Sequence, residues 1–130
     1  MIRPPLTLLL THDAELEQQS RSAVRASGGN QVVARNVGEA LQIACARSGD
    51  LDLAVIDLEN GCRGMTLLSA MSMLRRDLPI AVITGADAAE TAALAYANGA
   101  AGCLAKPASA TELEILMRAL REQKPQLQAA

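Results

Sequence analysis

Leu53-Ala54-Val55-Ile56-Asp57-Leu58 is a short run of aliphatic residues that ends on a carboxylate. Unbroken rather than alternating apolarity suits a strand covered on both faces, as in a parallel sheet packed between helices. Four more runs of this kind lie along the chain: Leu6 to Leu10, Gln31 to Ala34, Ile80 to Ile83 and a weaker Cys103-Leu104-Ala105. The second is polar at its ends and reads as an edge strand.

Longer helical patterns separate the runs. Asn36 stands three residues before Glu39, Asp87 three before Glu90 and Ser109 three before Glu112, each the spacing of a capping box or its Asx equivalent. Leu113, Leu116, Met117 and Leu120 recur on one face of the last helix. Gly28, Gly49 and Gly99 follow helical segments, as C-terminal capping residues do. Strand then helix, five times over, predicts an α/β fold: a doubly wound five-stranded parallel sheet (βα)5 of flavodoxin-like topology, in a single domain. Residues 1–122 form that domain. The segment 123–130 loses periodicity, carries Pro125, which is expected to stop the last helix, and reads as a C-terminal tail or a truncated linker.

Composition narrows the function. The 130 residues are 50% hydrophobic and 20% charged, which is a globular rather than a disordered composition. A formal charge of -2 leaves no electrostatic footprint for nucleic acid. With no Trp, no Phe and the single Tyr96, there is also no platform for stacking bases. No apolar run approaches a membrane span and the first residues lack the apolar core of a signal peptide, so a cytoplasmic location is expected, without membrane contact. Cys45, Cys62 and Cys103 are odd in number and widely spaced, which argues against a disulfide framework or a zinc site. His12 is the only histidine.

In an open parallel sheet, functional groups gather beyond the carboxyl ends of the strands. Those ends carry Thr11-His12-Asp13, Asp57, Thr84 and Lys106-Pro107. A carboxylate, a hydroxyl and an ammonium converging on one crevice are suited to phosphoryl transfer. The carboxylate is the nucleophile, and the other two bind the oxygens of the incoming group.

These residues, in this order, resemble the response regulator receiver domain of two-component signalling over roughly residues 5–122. Asp57 matches the phosphoacceptor, Thr84 the switch hydroxyl in Pro79-Ile80-Ala81-Val82-Ile83-Thr84-Gly85, and Lys106 the lysine of Gly102-Cys103-Leu104-Ala105-Lys106-Pro107. The resemblance implies a phosphoryl group accepted on Asp57 from a histidine kinase or phosphotransfer protein. It also implies a signal passed by protein contact, a cis Lys106-Pro107 bond, and no metabolic enzyme activity beyond self-catalysed transfer.

Three departures stand out. The adjacent acidic pair that holds Mg2+ in the family falls on Thr11 and His12, so a magnesium site built from Asp57, Glu59 and Asp13 is expected to be weakened. Asp13 reads first as the N-cap of the first helix, and Glu59 evenly as a replacement carboxylate or an ordinary loop acid. The loop from Leu58 to Gly64 is one residue short of the family's form, and the family's aromatic near the fifth strand falls on Cys103. Thr11, His12 and Cys103 favour an alternative function, an interaction module that keeps the fold and is not phosphorylated. A flavin- or nucleotide-binding protein of the same topology is disfavoured by the lack of Gly-x-Gly-x-x-Gly after the first strand. The expected contact surface, for a downstream partner or for self-association, is the 87–122 face, with Ala92, Ala93, Tyr96, Ala97 and the helix around Arg118 and Arg121. Met65, Met71 and Met73 are read as filling core gaps or covering a helix.

Overall fold

The computed structural model describes residues 3–59, 63–85 and 88–129, with side chains as far as residue 122. Five strands, β1 (Leu6–Leu10), β2 (Asn30–Ala34), β3 (Leu51–Asp57), β4 (Ile80–Thr84) and β5 (Gly102–Ala105), alternate with five helices. The helices are α1 (Ala14–Ala26), α2 (Val37–Ala46), α3 (Gly64–Leu74), α4 (Ala89–Ala97) and α5 (Ala110–Ala129). All strand pairs are parallel and the order is β2-β1-β3-β4-β5, so the polar-ended β2 lies at an edge.

Within the aliphatic strands, period-two geometry sends alternate side chains to opposite faces. Leu8, Leu10, Ala54, Ile56, Ile80 and Val82 meet Leu67, Leu68 and Met71 of α3, Ala40 and Ala44 of α2 and Ala95 of α4. Leu9, Leu53, Val55, Ala81 and Ile83 meet Leu16 and Val24 of α1 and Leu113, Met117 and Leu120 of α5. Each fully buried aliphatic side chain contributes about 1.5–3 kcal/mol. The two cores therefore supply the folding drive without aromatic residues. Met71 is in the core, Met65 packs against it, and Met73 lies on the surface.

Helix ends follow local chemistry. Asn36 Oδ1 accepts from the Glu39 backbone N–H, and Glu39 reaches back to the N–H of Arg35. Ser109 and Glu112 bond each other's backbone N–H groups reciprocally, a full capping box. Asp87, expected to cap α4, lies outside the described residues; the helix starts after Ala88, which makes no side-chain cap bond, and Ala95 is its one buried residue among those described. Gly28 and Gly99 adopt positive φ after α1 and α4, as expected. Gly49 does not: α2 has already ended at Ala46, and the residue sits in the turn beyond it. Pro125 does not stop α5 either. The helix runs on to Ala129, because proline's locked φ lies in the helical range and its cost is one lost backbone bond plus crowding of the preceding turn.

Candidate functional site

The strand order reverses direction between β1 and β3, and the crevice beyond their carboxyl ends is where such sheets bind ligands. Asp57, last residue of β3, is fully buried there. Three groups hold its carboxylate. The hydroxyl of Thr11, just past β1, donates to Oδ2 at 2.7 Å, the Lys106 ammonium lies 3.0 Å from the same oxygen, and the backbone N–H of Glu59 donates to Oδ1 at 2.9 Å.

Lys106 reaches the crevice from the end of β5, where its backbone N–H donates to the carbonyl of Thr84 and its bond to Pro107 is cis, as the resemblance implied. Its ammonium meets Asp13 Oδ2 at 3.0 Å and Glu59 Oε1 at 3.4 Å besides Asp57. Burial opposes the charge on Lys106, but the bonds to Asp13 and Asp57 outweigh it and hold its pKa above the ordinary lysine value. The hydrogen bond from Lys106 is also the main reason the Asp13 carboxyl lies below its usual value; the backbone N–H of Leu16 adds to it.

Asp13 is the N-cap of α1 and also lines the crevice. Its Oδ1 caps α1 through the N–H groups of Glu15 and Leu16, and its Oδ2 faces the crevice. Thr84 is buried at the end of β4 and shares a hydrogen bond with the Cys103 thiol, whose pKa burial pushes up. His12 points away: its Nε2 pairs with the carbonyl of Arg35. Cys62, with residues 60 and 61 of the short loop, lies outside the described residues.

Two contributors were hidden in the sequence. Thr11 reads there only as a missing acid, yet it is a buried donor to Asp57 that also accepts the N–H of Asp13. Gly85 lies under the Glu59 carboxylate, at the place a Cβ would occupy, so glycine there lets Glu59 approach Lys106. A Gly after the switch hydroxyl was the available signal.

The donor set does not suit a magnesium ion. Octahedral Mg2+ needs oxygens at about 2.0–2.1 Å, preferably carboxylates. Here Asp57 Oδ2 is engaged by Thr11 and Lys106, Asp13 Oδ1 by two backbone N–H groups, and the oxygens of Asp13, Asp57 and Glu59 splay around an ammonium at hydrogen-bonding distances. Among the described residues no three His, Cys, Asp or Glu side chains are grouped to hold a metal.

A family model described as the response regulator receiver domain matches residues 9–121. The chain belongs to that family. The receiver domain is 31% identical over 118 residues to the photosynthetic apparatus regulatory protein RegA of Cereibacter sphaeroides, an alignment covering 91% of this chain. It spans 64% of that relative's length. Among solved structures it is similar to a response regulator receiver domain protein from Clostridium thermocellum, with a TM-score of 0.85, 22% identity and coverage of 95% of this chain and 98% of that one. NtrX from Brucella abortus aligns at a TM-score of 0.88 and 22% identity, covering 98% of this chain and 29% of that one. At such identities the likeness is one of fold. Membership of the family places the receiver domain in two-component signalling, as a signalling module rather than a metabolic enzyme. No helix among the described residues is long and apolar enough to cross a membrane.

Proposed function

We propose that this receiver domain accepts a phosphoryl group on Asp57 from a histidine kinase or a phosphotransfer protein. One observation carries the reading: a fully buried carboxylate at the end of β3 is paired with Lys106, and the buried hydroxyl of Thr84 ends the adjacent strand. A buried acid held by a specific charge partner in a crevice is the mark of a functional group.

In the transfer, an Asp57 oxygen attacks phosphorus, and the bond from phosphorus to the donor's imidazole nitrogen breaks, that nitrogen keeping the electron pair. The product is an acyl phosphate. Lys106 offsets charge on the phosphoryl oxygens and Thr84 offers them a hydroxyl. Catalysis is thus positioning and charge neutralisation. Between the start of α1 and the β5–α5 turn, a cleft of about 300 Å³ lined by Asp13, Leu16, Gln19, Lys106 and Pro107 opens beside this site.

Output by protein contact through the 87–122 face fits the exposed Leu94 and Tyr96 of α4 and Ile115 of α5. Arg118 pairs with Glu114 one turn earlier on α5, whereas Arg121 donates to Ser27 at the end of α1. A cytoplasmic setting follows from a kinase donor.

Incubation with phosphoramidate in magnesium buffer should add the mass of one phosphoryl group, and Asp57→Asn should abolish the gain. No gain in the unaltered chain would overturn the reading. It would favour the second one, an unphosphorylated interaction module, which draws its support from the neutral Thr11 hydroxyl at a position where the family carries an acid.

A further inference from the structure

The acidic crevice brings together three carboxylates and one ammonium, and the ammonium is at their centre. Lys106 Nζ is 3.0 Å from Asp13 Oδ2, 3.0 Å from Asp57 Oδ2 and 3.4 Å from Glu59 Oε1, contacts from the β1–α1 connection, the end of β3 and the segment just after it. An ammonium has three N–H donors, as many as the carboxylates around it. The Thr11 hydroxyl completes the cage by taking the other approach to Asp57 Oδ2.

We propose that Lys106 is the resident cation of this site, occupying the role a divalent ion fills elsewhere in the family, so that phosphoryl transfer to Asp57 is independent of divalent metal. The inference deepens the acceptor reading and rests on it. A divalent ion entering the cage must face the ammonium at close range and strip oxygens from existing hydrogen bonds. Thr11 offers no negative charge in return, and hard divalent cations select for carboxylates. The transfer itself needs only what is present. From phosphoramidate, the phosphorus–nitrogen bond breaks and ammonia leaves with the nitrogen's electron pair, while an Asp57 oxygen bonds to phosphorus. Lys106, already beside that carboxylate, offsets the charge of the phosphoryl oxygens.

Two measurements decide it. The first is thermal unfolding of the whole chain in excess magnesium chloride, in sodium chloride of matched ionic strength and in a chelator, beside the variant Thr11→Asp/His12→Asp. The unaltered chain should unfold at one temperature throughout, and the variant should be stabilised by magnesium alone. A saturable rise in the unaltered chain would overturn the inference, even if the variant fails to fold.

The second is the mass gain from phosphoramidate with magnesium and with chelator. Equal gain in both supports the inference. Gain that requires magnesium overturns it and leaves the acceptor reading standing. No gain in either overturns the acceptor reading, and with it metal-independent transfer.

Discussion

The hydroxyl of Thr11 donates to Asp57 Oδ2 across 2.7 Å, joining the residue after β1 to the last residue of β3. Both side chains are fully buried, so this bond is not replaced by water when it is lost. Thr11→Val keeps the shape and removes the donor. Leaving a buried acceptor short of a partner costs about 1–3 kcal/mol. Urea unfolding should show that loss, and Thr11→Ser should recover most of it.

Gly64 opens α3 directly beneath the site. A Cβ there would stand 2.7 Å from the backbone oxygen of Asp57 and 2.7 Å from Ile56 Cγ2. Neither neighbour is the free end of a flexible chain. Gly64→Ala should therefore destabilise by about 1–3 kcal/mol, the range for overpacking a tight contact. It should also lower the rate of phosphoramidate modification, since the carbonyl that must shift belongs to Asp57, the proposed acceptor.

The reciprocal pair of Ser109 and Glu112 starts the helix that packs Leu113 and Met117 on the sheet. Ser109→Ala removes one of its two bonds. The expected cost is about 1 kcal/mol in urea unfolding. Ser109→Asp should cost less, because a carboxylate both caps and complements the helix dipole.

Lys106 and Asp13 set opposite limits on pH stability. Asp13 is held below the ordinary value of 3.8 chiefly by its bond from Lys106, so its contribution is present above that value and lost as pH falls through the lower folded one. Burial works against the Lys106 charge, but Asp13 and Asp57 raise its pKa above the ordinary 10.5. Its contribution is fully present below 10.5 and lost as pH rises through the folded value. Lys106→Met should therefore be less stable than the unaltered chain at neutral pH, and the difference should shrink in alkali above 10.5. Carbon-detected titration of Asp13 should show its pKa rising in the variant.

The sheet was legible in the sequence because a strand buried on both faces must be apolar throughout, and that property needs no partner to be seen. Asp57, Thr84 and Lys106 were legible for a related reason: each ends its strand or directly follows it, so placing the strands places the residues. The role of Thr11 was not. Whether a hydroxyl at a strand end meets solvent or a carboxylate depends on the register between β1 and β3, which no local pattern carries. Gly49 and Pro125 misled for the opposite reason, since both were read from local preference alone. In the structure α2 ends before Gly49 and α5 continues through Pro125.

Helix α4 has a different kind of attachment from its neighbours. Nine residues long, it starts after Ala88, which makes no side-chain cap bond, and sets Ala95 as its one buried residue, while its Leu94 and Tyr96 remain exposed. Little apolar area is given up when such a helix loosens, so its opening is cheap compared with that of the strands beneath it. Its backbone amides should take up deuterium well before those of β1, β3 and β4. This segment then behaves as a part that breathes on a sheet that does not, and a binding partner gripping it would act by quieting motion already there.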